Sequence, residues 1–251
     1  MLDHPQTNHL QRYLLKQVRR AVNDFRLIEP EDRIAVGLSG GKDSLALLWA
    51  LARLQKFRGF SFYLQAVHLD LGWTHIGQTA APVTELEKLC FNLGVPLHIE
   101  NTRIAEIVFQ VRQEPNPCSL CAKLRRGALH RAALRFNCNK VALGHHADDA
   151  VETLFLNLFY SGRLETFSPR TYLTNTGLTV IRPLIYLKEK EILQAMRSLN
   201  LPSFANPCPS SGETKRQEVK EVVSCLAARF PDLHLRAITA LRKNWMSVRE
   251  K

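Results

Sequence analysis

The chain has 251 residues, is 45% hydrophobic, and sets 34 lysines and arginines against 23 aspartates and glutamates, a net charge of +11. That hydrophobic content supports a sizeable core, and the positive balance favours a polyanionic partner. No apolar run approaches the ~20 residues of a membrane span, and the opening MLDHPQTNHLQ lacks a signal-peptide core, so no membrane association and a cytoplasmic location are expected. In such a reducing compartment the cysteines at 90, 118, 121, 138, 208 and 225 serve metal binding or thiol chemistry better than three structural disulfides.

Leu10, Leu14, Val18, Val22 and Phe25 recur at helical spacing and predict an amphipathic helix over residues 8–26. Arg12, Lys16, Arg19 and Arg20 form a basic stripe beside them, suited to a phosphate backbone or simply to solvent. The β-branched run 34–38 reads as a buried strand feeding Ser39-Gly40-Gly41-Lys42-Asp43-Ser44 and then an apolar helix. Two adjacent glycines let backbone amides approach an anion, the helix start aims its free N–H groups at it, and Lys42, Ser39 and Ser44 add a charge and two hydroxyls. A Walker loop would need glycine at Val36 and a hydroxyl residue at Asp43. SGGKDS instead resembles the PP-loop of the ATP pyrophosphatase superfamily, which implies cleavage of ATP between its α- and β-phosphates.

Residues 60–69 predict a second strand ending at Asp70, placed to meet a nucleoside or to begin a turn with Gly72. A helix near 80–93 and a strand at 96–100 continue the alternation, which specifies a doubly wound, mainly parallel, five-stranded α/β sheet. Pro115 and Pro117 precede a helix reaching 135 that opens with Cys118 and Cys121, three apart on one face. The helix N-terminus, Lys123, Arg125 and Arg126 are expected to deprotonate these thiols in part. After a strand at 140–144, Asp148 and Asp149 either complement the dipole of the next helix or hold magnesium at the phosphates. A flavodoxin-like strand order is the expectation that places them beside the phosphate loop. A loop or small hairpin at 161–179, a last strand at 180–184 whose Arg182 could reach phosphate or RNA, a helix at 188–199, a turn-rich 202–212 exposing Cys208, and helices at 213–228 and 232–248 complete the chain. Cys90, Cys138 and Cys225 lie among apolar residues and read as core.

SGGKDS, PCSLCAKLRRG, LGHHADDAVETLFLNLFY, IRPL and a late Cys208, in that order, resemble the tRNA 2-thiocytidine synthase (tRNA-cytidine 2-sulfurtransferase) family over about residues 8–230. The resemblance implies that Ser39, Gly40, Gly41, Lys42, Asp43 and Ser44 bind ATP phosphates, with Asp70 and residues 144–146, Gly144 and His146 among them, near the nucleoside. Cys118, Cys121 and Cys208 would hold a 4Fe-4S cluster through three irons, leaving the fourth open to sulfide. Lys42, Asp43, Asp148, Asp149 and Arg125 would serve the chemistry: a cytidine O2 attacks the ATP α-phosphate, and sulfur then expels AMP. The expected partners are magnesium, tRNA, a cysteine desulfurase or free sulfide as donor, and a second copy in a homodimer. Where the family's late motif reads CxLCG, Ser211 replaces the second cysteine. The implied organisation is a basic helix (1–30), an ATP-binding domain with the CxxC pair (31–187) and a helical region with the third cysteine (188–251). Rival readings are a cysteine-persulfide PP-loop enzyme, one acting on a small molecule, and a non-catalytic zinc- and tRNA-binding module.

Overall fold

The computed structural model describes residues 5–57, 59, 61–79, 83–201, 204, 207–210 and 215–247, the side chains of 5–8 and 247 excepted. In chain order the elements begin with α1 (Pro5–Phe25), β1 (Asp32–Gly37), α2 (Lys42–Leu54), β2 (Phe62–Asp70), α3 (Val83–Leu93) and β3 (Leu97–Asn101). A short α4 (Ile104–Glu106) runs on as a π-helical turn (Ile107–Arg112), which the sequence reading did not foresee. Then follow α5 (Pro117–Arg135), β4 (Lys140–Ala142), α6 (Ala147–Ser161), β5 (Arg170–Leu173), β6 (Leu178–Ile181), α7 (Glu189–Ser198), α8 (Lys215–Arg229) and α9 (Leu233–Ser247). The expected starts of α3 and α8, and Ser211 and Gly212, lie outside the described residues.

The sheet order is β3-β2-β1-β4-β6-β5. Its first five members run parallel, as expected, and β5 adds a sixth, antiparallel edge strand through the hairpin anticipated at 161–179. The flavodoxin-like order does not hold, because β3 pairs with the outer side of β2 and β4 takes the place beside β1. Burial explains the choice: Lys140–Ala142 is buried throughout and suits the sheet centre, whereas Leu97–Asn101 stays half-exposed and suits a flank. The order in which strands are added to the sheet therefore reverses between the parallel neighbours β1 and β4, and the loops after these two strands open a crevice at their C-terminal ends.

Alternation divides the core between the two faces of the sheet. Ile34, Val36, Leu64, Ala66 and Ala142 join the cluster packed by α1, α2, α6 and α7, while Ala35, Val67 and Val141 face Leu129, Ala132 and Ala133 of α5. α2 is apolar all round because α1 and α7 cover the side that the sheet does not. On α1, Leu14, Val18, Val22 and Phe25 are at most 2% exposed, and Arg12, Lys16, Arg19 and Arg20 face outward. Cys90 and Cys138 are buried as expected, but Cys225 is exposed. α8 turns Val219 and Val223 inward, and a residue two positions further falls on the opposite side. Among the described residues no helix is long and apolar enough to cross a membrane.

Candidate active site

The loop after β1 is shaped by its own hydroxyls. Ser44 Oγ donates to Gly41 O at 2.8 Å and accepts the Ser39 amide at 3.1 Å, while Ser39 Oγ accepts the Gly41 amide at 3.3 Å. Gly40 has φ +83°, a conformation that L side chains avoid, and no side chain caps α2 at Gly41. The first amides of α2 are thus left for an anion. Gly144 lies so close to this turn that a Cβ there would stand 3.0 Å from Asp43 C and 3.1 Å from Ser44 N.

Lys42 Nζ lies 3.0 Å from Asp43 Oδ2 and 2.9 Å from Glu189 Oε1. Burial opposes its charge, but the two carboxylates outweigh burial and its pKa is raised. Asp43 Oδ1 is buried without a hydrogen-bond partner, with His146 Nε2 3.7 Å away.

His146 caps α6: its amide donates to Asp149 Oδ2 at 2.9 Å, and its ring lies 3.5 Å from Asp148 Oδ2 and 3.4 Å from Asp149 Oδ2. Burial alone would discharge the ring, yet Asp148, Asp149 and Asp43 prevail and raise its pKa. Nδ1 cannot both donate to Asp148 and accept the Asp149 amide at 3.4 Å. When protonated, the ring keeps the Asp148 contact and gives up the Asp149 amide. Burial would raise the Asp148 carboxyl, but His146, His234 and the Glu189 amide hold it far below the usual carboxylate range.

The C-terminal helices complete the wall. His234 Nε2 stands 3.2 Å from Asp148 Oδ1, Arg216 pairs with Asp149 and with buried Glu152, and Lys220 Nζ reaches Glu189 Oε2 at 2.8 Å. Burial would raise the Glu189 carboxyl, but Lys220 and Lys42 draw it down to about 2. The sequence reading missed Glu189, Arg216, Lys220 and His234. Their only linear signal is a helix's first-turn acid or a charge on an amphipathic helix, which solvated positions share.

Asp70 Oδ1 accepts the Gly72 amide at 2.9 Å, the turn-forming alternative, and this turn sets Trp73 into a small apolar cluster. Cys121 and Cys208 pack against that same cluster with Leu120 and Leu124. Burial pushes the Cys121 thiol up, and charge on Cys208 or Cys118 adds to the rise against the opposing Arg125, so its pKa moves opposite to the expected direction. Arg125 consequently stands with the thiols. Among the described residues no group of three or more His, Cys, Asp or Glu side chains is arranged to hold a single metal ion. Phe204 donates its amide to Gly40 O at 3.2 Å, which ties the segment leading to Cys208 directly to the phosphate loop. Arg182 is engaged by the protein itself: it hydrogen-bonds His145 Nδ1, Ser168 O and Thr171 Oγ1 and stacks on Phe167. Burial lowers its pKa to about 10, and burial with Arg182 beside it lowers His145 to about 4.

A phosphate-shaped loop between two central parallel strands, walled by acids and lysines, defines a PP-loop protein, and the sequence matches the PP-loop domain family over residues 8–224. The chain is 41% identical over 233 residues to a tRNA-cytidine(32) 2-sulfurtransferase of Pelobacter propionicus, covering 92% of this chain and 85% of that one. It is 40% identical over 238 residues to the protein of that name from Bordetella avium, covering 94% and 74%. The chain belongs to the tRNA-cytidine(32) 2-sulfurtransferase family of PP-loop proteins. Its fold is similar to that of the U34-tRNA thiolase NcsA of Methanococcus maripaludis, solved with its 4Fe-4S cluster, at TM-score 0.76 and 23% identity over 96% of this chain and 80% of that one.

Proposed function

We propose that this protein is an ATP-dependent tRNA thiolase that replaces O2 of a cytidine with sulfur, at position 32 as in the relatives' names. One observation carries the reading: the phosphate loop after β1 and the thiols packed beside the end of β2 share one rim of the sheet, bridged by the Phe204–Gly40 hydrogen bond. An enzyme that activates a base with ATP and then delivers sulfur to it needs those two centres adjacent.

The amides at residues 40–44 and Lys42 would bind the β- and γ-phosphates and offset charge on the departing pyrophosphate. Attack of the cytidine O2 on the α-phosphate joins oxygen to AMP and expels pyrophosphate; sulfur then bonds to C2 and AMP leaves with the oxygen. Asp43 Oδ1, buried and without a hydrogen-bond partner, suits a magnesium ion that would supply charge neutralisation. Asp148 and Asp149 could join it only by exchanging His234 or Arg216. The donor set also fits the iron–sulfur group: Cys118 and Cys121 lie one turn apart at a helix start, and Cys208 packs against the same cluster as Cys121. A cluster held by these three thiolates would supply the sulfur chemistry. Arg125, beside Cys121, would steady the tRNA or the leaving phosphate. Asp70, held in its turn, would shape the nucleoside end of the crevice, which Gly144 and His146 border. A cytoplasmic location, a cysteine desulfurase or free sulfide as donor, and a homodimer belong to the same proposal.

Anaerobic purification with iron and acid-labile sulfide assays, followed by nucleoside mass spectrometry of tRNA incubated with ATP and sulfide, tests the reading. We expect a brown protein with about four irons that forms 2-thiocytidine, and loss of colour in Cys208→Ala. A colourless, reconstituted protein that still thiolates would overturn the cluster in favour of a persulfide, and absence of thiolation would overturn the function.

The outward row on α1 yields a further expectation. If Arg12, Lys16, Arg19 and Arg20 track phosphates, tRNA affinity should fall on the order of a hundredfold between about 50 and 200 mM salt. Filter binding across that range checks it, and a flat response would remove α1 from the RNA surface.

A further inference from the structure

Glu189 is the first residue of α7, and its position is fixed from both sides. Its amide donates to Asp148 Oδ2 at 2.8 Å, and two residues earlier Leu187 O accepts the Ala147 amide at 2.8 Å. The helix start is therefore pinned to the start of α6, and the carboxylate is delivered to one place. There it bridges two lysines from different elements, Lys42 of α2 at 2.9 Å and Lys220 of α8 at 2.8 Å. Both ammonium groups converge on a single anionic point at the mouth of the loop. A phosphate that contacts Lys42 must share or displace that carboxylate, and in displacing it would gain Lys220 as a second cation.

We propose that Glu189 is a built-in competitor for the phosphate site: it occupies Lys42 and Lys220 between turnovers and, by returning to them, helps expel pyrophosphate. The proposal rests on the nucleotide reading above and adds two residues to it, Glu189 as a positioning residue and Lys220 as a phosphate contact. Like-charge logic supports it. A carboxylate held on the loop lysine opposes a polyphosphate by like-charge repulsion, and Asp43 on the same lysine adds to it. A tight product complex would limit turnover, and an internal anion that recaptures the lysines shortens its life. A purely architectural ion pair predicts something else: removing it would leave pyrophosphate affinity unchanged or weaken it.

Calorimetric titration of the full chain with pyrophosphate, and with ATP, separates the two. Glu189→Gln keeps the shape and removes the charge; we expect pyrophosphate to bind it ~10-fold more tightly, with ATP KM and kcat both falling as release slows. Glu191→Gln removes a neighbouring carboxylate on α7 that caps the helix and does not reach Lys42, and should leave pyrophosphate affinity as in the wild type. Lys220→Met added to Glu189→Gln should take back part of the gain. Equal or weaker pyrophosphate binding by Glu189→Gln, with Glu191→Gln unaltered, would overturn the proposal. Failure of the wild type to bind either ATP or pyrophosphate would instead overturn the nucleotide reading, and this inference with it.

Discussion

Replacing Lys42 with alanine is expected to lower tRNA-dependent pyrophosphate release at least about a hundredfold, the scale on which removal of one preorganised donor to a developing anion acts. The reason lies in where the ammonium sits. It is the cation at the start of α2, half-buried and held by Asp43 and Glu189 at the turn whose amides are free for phosphate. Little of the fold depends on it, because Glu189 keeps Lys220 and the turn keeps its Ser39 and Ser44 hydrogen bonds. Thermal unfolding should therefore shift little, and iron content should stay at the wild-type value, since Cys118, Cys121 and Cys208 lie on other elements. Pyrophosphate release, a melting curve and an iron assay on one preparation check all three expectations. A variant that turns over near the wild-type rate would show that the loop does not carry the chemistry.

The phosphate loop was legible because its constraints are local: a buried strand, two glycines and a helix start define it within a dozen consecutive residues. The cysteines at 118 and 121 were legible for the same reason, as one turn of one helix. Strand order was not, since nothing in residues 97–101 or 140–142 states which of them pairs with β1, and only their burial in the assembled sheet separates them. The loop lysine's counter-ion escaped the sequence altogether. Glu189 follows Lys42 by more than a hundred positions, and Lys220 reaches it from a third element, so the pairing exists only once α7 and α8 are docked. The commitment of Arg182 to His145, Ser168 and Thr171 was equally invisible in the sequence. The thiol of Cys121 shows how magnitude decides: burial against the cluster that contains Trp73 pushes its pKa up and outweighs the pull of Arg125.

A methyl group at position 144 should damage nucleotide binding. A Cβ on Gly144 would meet Asp43 C at 3.0 Å, Asp43 O at 3.1 Å and Ser44 N at 3.1 Å, all of them main-chain atoms of the first turn of α2. A flexible side chain could swing aside, but this backbone is held by the Ser44–Gly41 and Ser39–Ser44 hydrogen bonds and by the sheet behind it. The residue 143–146 segment cannot retreat easily either, because Leu143 donates to Ile181 O and Ala147 to Leu187 O. Gly144→Ala should thus displace the amides that face the phosphates, weakening ATP ~10- to 100-fold and costing about 1–3 kcal/mol of stability as overpacking does. Gly177→Ala provides the comparison. It places alanine at φ +71° with nothing within 4 Å, so it should cost stability through backbone strain while leaving ATP affinity unchanged. Titration of both variants with ATP, beside their melting temperatures, separates a displaced loop from a merely weaker fold. If Gly144→Ala bound ATP as the wild type does, the contact between the two loops would have no part in shaping the phosphate site.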